Sequence, residues 1–174
     1  MTTSAPAVTL VPVTLTGGHE TVGVDRGRPV ILVASGLGVT PEVFRDAFSR
    51  VRPAPAGQEP QPAQVQANKK ALLEALGKYG VTNDRLDEVS NYYRYPPGDA
   101  KLWKHVDAVI KAKVEEGKVT GFVVEKAGAG YTTPPTVRVD GFAEVQAEVV
   151  LHFGKDLPTN GTVAEVKMIP AKKR

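Results

Sequence analysis

The stretch Gly38-Val39-Thr40-Pro41-Glu42-Val43-Phe44 returns 42 residues further along as Gly80-Val81-Thr82-Asn83-Asp84-Arg85-Leu86. In each copy a glycine, which ends helices readily because it tolerates a left-handed backbone, precedes a threonine suited to capping the next helix. Acidic residues follow in the first turn, where the helix dipole favours negative charge. The repeat therefore predicts two helical hairpins, each turning at a Gly-Val-Thr sequence.

A helix should also precede each of these glycines. Before Gly80, apolar residues recur at helical spacing from about residue 62 to residue 79. Before Gly38 lies the run Pro29-Val30-Ile31-Leu32-Val33-Ala34-Ser35, whose β-branched composition is typical of a buried strand. Because of the repeat we predict a helix here, beginning at Pro29. The proline-rich residues 52–62 should form an extended linker between the hairpins.

The sequence after residue 104 alternates between apolar and polar residues in short runs separated by turns. This pattern predicts five antiparallel strands, and residues 8–15 predict one more extended strand with a break at Pro12. We therefore expect an α+β protein. Residues 1–104 would be a mainly helical half with an extended N-terminal segment. Residues 105–174 would form an antiparallel β-meander or small sandwich, and the two halves would fold as one cooperative unit.

Composition and charge exclude several classes of protein. The chain has no cysteine, which excludes disulfides and thiolate chemistry. Its 22 Lys and Arg side chains outnumber 19 Asp and Glu, but three of the basic residues are the terminal Lys172, Lys173 and Arg174. The remainder is neutral, so we expect no nucleic-acid partner. No apolar run is long enough for a transmembrane segment, and nothing indicates a cofactor.

The strongest group of potential metal ligands is His19, Glu20 and Asp25, in a glycine-rich polar stretch. An imidazole and two carboxylates can bind a divalent cation or divide acid and base roles between them. The alternative interpretation is a loop in which Glu20 and Asp25 satisfy backbone donors or pair with Arg26 and Arg28.

The string Asn91-Tyr92-Tyr93-Arg94-Tyr95, with Trp103 nearby in sequence, is the best candidate ligand-binding surface. Tyrosine, tryptophan and arginine are common in recognition sites, so Tyr92, Arg94, Tyr95 and Trp103 are predicted to contact a glycan, a peptide or a cell-envelope component. In the alternative interpretation, Tyr93 packs in the core while Tyr92, Tyr95 and Trp103 close the boundary between the halves.

Residues 117–139 resemble a β-repeat of uncharacterised secreted bacterial proteins, with a G-x-G-Y-T-x-x-P-x-V motif. The matching residues are Gly117, Val119, Val124, Gly128, Gly130, Tyr131, Thr132, Pro135 and Val137. Residues 161–167 repeat its beginning, and residues 17–21 and 81–94 are similar to the front half of such a family. The resemblance implies an extracytoplasmic protein without known catalytic residues. Residues 1–16 have no Lys or Arg, so a signal peptide would lie outside this sequence.

These observations lead to two functional hypotheses. The first is a non-catalytic extracytoplasmic module that binds a ligand or has a structural role. The second is a metal-dependent or acid/base enzyme that uses the loop containing His19, Glu20 and Asp25. The oligomeric state is not predicted by the sequence.

Overall fold

The computed structural model of the chain describes residues 7–51, 61–94 and 102–169. Within these ranges the protein is α+β, with helices mostly in the N-terminal half and antiparallel strands mostly in the C-terminal half, as predicted. The helices are α1 (Val30–Leu37), α2 (Pro41–Phe48), α3 (Pro62–Leu76) and α4 (Asn83–Tyr92). The strands are β1 (Thr9–Thr16), β2 (Val109–Glu115), β3 (Lys118–Lys126), β4 (Thr136–Val139), β5 (Gln146–His152) and β6 (Thr162–Ile169).

The two Gly-Val-Thr turns form as the repeat predicts. Gly38 and Gly80 adopt left-handed conformations, with φ of 78° and 84°. The Thr40 hydroxyl accepts a hydrogen bond from the Val43 amide at 3.2 Å, and the Thr82 hydroxyl accepts one from the Arg85 amide at the same distance. Each threonine thus satisfies a free amide at the start of a helix. Most of the predicted linker, residues 52–60, lies outside the described residues.

The β-branched run before Gly38 is a helix, α1, so the repeat outweighed the strand propensity of these residues. Packing explains this outcome. Leu32 and Ala34 are fully buried, and the helix contacts both α2 and α4. Val89 of α4 and Leu157 from the C-terminal half lie so close to Gly36 that a larger residue would collide with them. Tertiary contacts of this kind routinely override intrinsic propensity.

The sheet holds one feature that the sequence did not predict. β1 comes from the N-terminal segment but lies inside the main sheet, whose strand order is β3-β2-β1-β4. The residues up to Pro12 pair with β2, and those from Val13 onward pair with β4. Pro12 therefore marks a change of partner within a continuous strand. A boundary at residue 104 separates the four helices from β2 to β6 along the sequence. β1 precedes this boundary, yet it belongs to the main sheet.

The second sheet consists of β5 and β6, paired antiparallel. β4 lies against β5 and β3 against β6, so the strands curl around a shared apolar interior. A separate apolar cluster fills the helical half, and it includes Trp103, which follows the last helix, and Leu157 from the C-terminal half. The boundary between these two clusters is where the candidate site lies.

Candidate functional site

The boundary is built around Asn160, which lies fully buried between the two halves. Its side-chain amide donates hydrogen bonds to the Leu32 carbonyl and the Tyr93 hydroxyl, both at 2.9 Å. Its side-chain oxygen accepts one from the Gly154 amide at 3.0 Å. Burial raises the pKa of Tyr93 to about 12, although the hydrogen bond from Asn160 opposes the shift. One asparagine therefore ties α1 and α4 to the strand half.

The G-x-G-Y-T motif completes this boundary. The Gly130 amide donates to the Asn160 carbonyl at 2.9 Å, and the Tyr131 amide donates to the Gly161 carbonyl at 3.0 Å. The Trp103 indole donates to the Gly130 carbonyl at 2.9 Å. We call Trp103, Gly130, Tyr131, Asn160 and Gly161 the junction. The motif residues in this set hold the fold together.

The glycine-rich loop before α1 docks onto the same motif. The Thr132 and Thr133 amides both donate to the Gly18 carbonyl, at 2.9 and 3.3 Å. The Glu20 carboxylate accepts hydrogen bonds from the Gly18 amide, at 2.8 Å, and from the Thr133 hydroxyl. The Thr133 hydrogen bond is the main reason that the pKa of Glu20 is lowered. Glu20 thus fixes the loop to the segment around Thr132 and Thr133 of the β-repeat, which we call the repeat turn.

Asp25 is buried and pairs with Arg45 of α2. The Arg45 Nε and Nη2 atoms donate to the two carboxylate oxygens at 3.0 and 2.9 Å, which is a bidentate arrangement. These hydrogen bonds raise the pKa of Arg45 above its usual value. The hydrogen-bond partner of Asp25 is therefore Arg45, rather than the Arg26 or Arg28 that the alternative interpretation named. The two residues are 20 positions apart, so no local pattern indicated their contact.

His19 packs into a group of aromatic rings. Its ring stacks on Tyr131, with centroids 5.1 Å apart, and lies 4.7 Å from the ring of His105. The Nε2 atom of His19 is buried and has no hydrogen-bond partner among the described residues. Burial is the main cause that lowers the pKa of His19, and the charge of His105 adds to it, while Asp107 and Glu20 oppose it. The folded protein therefore favours neutral His19.

Because the folded protein favours neutral His19, its free energy of unfolding should depend on pH. Below the unfolded-state pKa of about 6.5, the unfolded chain takes up a proton on His19 more readily than the folded chain does. The free energy of unfolding should therefore fall as the pH drops from about 7.5 to about 5.5. Urea denaturation at both pH values measures this loss. His19→Phe keeps a ring on Tyr131 and should reduce the loss, whereas the matched change His152→Gln, at an exposed histidine, should leave it unchanged. An equal loss in wild type and His19→Phe would contradict the assignment.

The predicted metal set does not assemble. His19 packs among rings, Glu20 bonds to the loop and to Thr133, and Asp25 is held by Arg45. Across residues 7–51, 61–94 and 102–169, no group of three or more His, Asp or Glu side chains is placed to hold a metal ion. The spacing in sequence suggested proximity, but the loop directs the three side chains to different partners.

The residues predicted to form an aromatic ligand-binding surface also differ in burial and in their contacts. Tyr93 packs in the core, as the alternative interpretation had it, and Trp103 is only 1% exposed. The Trp103 indole therefore lies inside the junction rather than on an exposed surface. Tyr92 is half-buried beneath the Lys104 ammonium, 4.6 Å from its ring centroid, and Arg94 is exposed. Tyr95 lies outside the described residues.

A cleft of about 340 Å³ opens beside the junction, where the N-terminal loop, the starts of α1 and α2, and the repeat turn meet. We call it the junction cleft. Most of the surface that its walls expose is apolar, as is usual for a small-molecule site, although five charged side chains and three threonines also line it. The residues that line the cleft include Val22, Pro29, Ile31, Glu20, Arg28 and Glu42. The sequence singled out Glu20 and Asp25, which both line the cleft, but as metal ligands. It did not indicate the cleft itself, because Thr132 and Thr133 of its wall lie about 90 positions or more from the other lining residues.

A second cavity, of about 320 Å³, lies between α2 and α3. Charged side chains dominate its lining, among them Asp46, Arg50, Glu74 and Lys78. Water solvates such groups well, so this cavity offers a ligand little apolar surface to bury. Of these two cavities, the junction cleft is therefore the better candidate site.

Comparison with known proteins adds no relative: no family model, curated protein or solved structure matches the chain. In the parts of the chain that the structure describes, no helix is both long and apolar enough to cross a membrane.

Proposed function

We propose that the chain is a non-catalytic, extracytoplasmic binding module whose ligand occupies the junction cleft. The observation that carries this proposal is the cleft itself, a concave site of about 340 Å³ whose exposed surface is mostly apolar and whose rim includes charged and hydroxyl groups. Three segments from different parts of the sequence build it, and the junction holds them in place. A site shaped in advance in this way spares a ligand the free energy of ordering it.

The hydrogen bonds that engage the carboxylates of Glu20 and Asp25 favour a binding role over a catalytic one. A general base needs a carboxylate that is free to take a proton from a substrate. Asp25 is held by both donors of Arg45, and Glu20 accepts hydrogen bonds from Gly18 and Thr133. With these residues engaged and no ligand cluster in the described residues, the metal-dependent or acid/base alternative has no observation in its favour.

The extracytoplasmic location rests on the resemblance of residues 117–139 to repeats of secreted bacterial proteins. Fractionation of cells that make the native protein, followed by immunodetection, tests this part of the proposal. Detection only in the cytoplasmic fraction would contradict it.

The binding proposal is tested by NMR titration of the ¹⁵N-labelled protein with glycans, peptides and cell-envelope fragments. At least one class should shift the amide signals of residues around the junction cleft, such as Val22, Ile31 and Thr133. Val22→Trp should block that binding, because it places a large ring at the wall of the cleft. Val8→Trp is the matched control, since Val8 is similarly exposed but does not line the cleft. Shifts that map elsewhere, or none with any class, would overturn the proposal.

A further inference from the structure

Arg28 has an unusual environment for a charged side chain at the wall of the junction cleft. It is half-buried, and its guanidinium carbon lies 4.9 Å from the centroid of the Phe48 ring. An arginine stacked on an aromatic ring has one face covered, while its N–H donors stay available in the plane of the guanidinium. No hydrogen bond from this guanidinium to another described residue is found.

The carboxylate that acts on Arg28 is already engaged. Asp25 accepts two hydrogen bonds from Arg45, so its charge is largely compensated there. Arg26 adds positive charge nearby. Burial is the main cause that lowers the pKa of Arg28, and Arg26 adds to this while Asp25 opposes it. The cation is therefore less stable here than in water, and an anion beside it would relieve that cost.

Arg28 lines three cavities. Besides the junction cleft, it lines two neighbouring cavities of about 230 and 350 Å³, and it shares both of them with Phe48. We infer that Arg28 binds the carboxylate of a monoanionic ligand whose apolar part lies in the junction cleft. This inference rests on the proposed function and names the chemical class of its ligand.

The lining of the cleft selects a carboxylate over a phosphate. The carboxylates of Glu20 and Glu42 lie on the same walls and would repel a dianion more strongly than a monoanion. A planar carboxylate also matches the fork of the guanidinium and can accept two parallel hydrogen bonds. Val22, Pro29 and Ile31 provide the surface against which an apolar group beside the carboxylate would pack.

NMR titration with 3-phenylpropionate tests the inference, with 3-phenylpropionamide and inorganic phosphate as comparison probes. The acid should shift the Arg28 Nε–H signal and the amides of Val22 and Ile31, and it should bind at least about tenfold more tightly than the amide, since a charged hydrogen bond is lost with the neutral probe. Equal binding of acid and amide, or equal shifts with phosphate, would overturn the inference.

Variants of Arg28 provide the second part of the test. Arg28→Gln should weaken binding of the acid about tenfold while leaving binding of the amide unchanged, and Arg28→Lys should recover only part of the loss, because a lysine lacks the planar fork. Arg26→Gln is the matched control, an exposed arginine two positions away that does not line the cleft. It removes the same charge without the hydrogen-bonding fork beside the cleft, so it should weaken binding of the acid much less than Arg28→Gln does. Full affinity in Arg28→Gln would overturn the inference.

The two proposals fail in different ways. If the acid and the amide shift the cleft amides equally, the cleft binds ligands and only the role of Arg28 is wrong. If neither probe nor any glycan, peptide or envelope fragment shifts those amides, the proposed function falls and the inference falls with it.

Discussion

Asn160→Ala is expected to lower the free energy of unfolding by about 3 to 5 kcal/mol. The change removes three hydrogen bonds, with Leu32, Tyr93 and Gly154, at a position with no solvent exposure. Each polar group left buried without a partner costs about 1 to 3 kcal/mol, and a cavity adds to the loss. Urea denaturation monitored by circular dichroism measures the effect.

Tyr93→Phe is the graded control for this prediction. It removes only the hydroxyl that accepts from Asn160, so it should cost about 1 kcal/mol. If Asn160→Ala cost no more than Tyr93→Phe, the central role of Asn160 in the junction would be wrong.

Gly161→Ala should destabilise the protein by at least about 3 kcal/mol, whereas Gly117→Ala should cost only about 1 to 2 kcal/mol. The two glycines begin the similar stretches 117–123 and 161–167, and they have nearly the same φ, 76° and 72°. A Cβ atom at Gly161 would lie 2.6 Å from the Tyr131 carbonyl oxygen and 2.8 Å from the Tyr131 nitrogen, while one at Gly117 would meet nothing within 4 Å.

The comparison separates two effects of the same substitution. Both variants carry the strain of a left-handed alanine, and only Gly161→Ala also pushes against the backbone of the junction. Thermal and urea denaturation of the two proteins side by side measures the difference. Equal losses of stability would show that the junction tolerates a methyl group, contrary to the close packing described above.

Local signals in the sequence predicted local structure well. Thr40 and Thr82 cap their helices because a threonine side chain reaches the amide three residues ahead, and sequence spacing alone specifies that contact. The alternation in residues 108–114 likewise marked the buried face of β2, where Ile110 and Ala112 are almost fully covered. Even the helix at α1 followed from a repeat that is visible in the sequence.

Long-range contacts could not be predicted in the same way. The place of β1 between β2 and β4 depends on pairing with residues about a hundred positions away. The contact of Asp25 with Arg45 and the burial of Trp103 depend on how helices and loops pack. The junction cleft arises from the same packing, so its apolar walls had no signature in sequence.

We infer that the junction joins the helical half and the strand half into one unit, and so shapes the cleft between them. Native-state hydrogen exchange of the wild-type protein, followed by NMR at increasing urea concentrations, tests it most directly. The claim predicts that the slowest amides of α1 and α4 open with the same free energy as the slowest amides of β2 and β5. Opening of the helices at a distinctly lower free energy, while the strands stay protected, would contradict it.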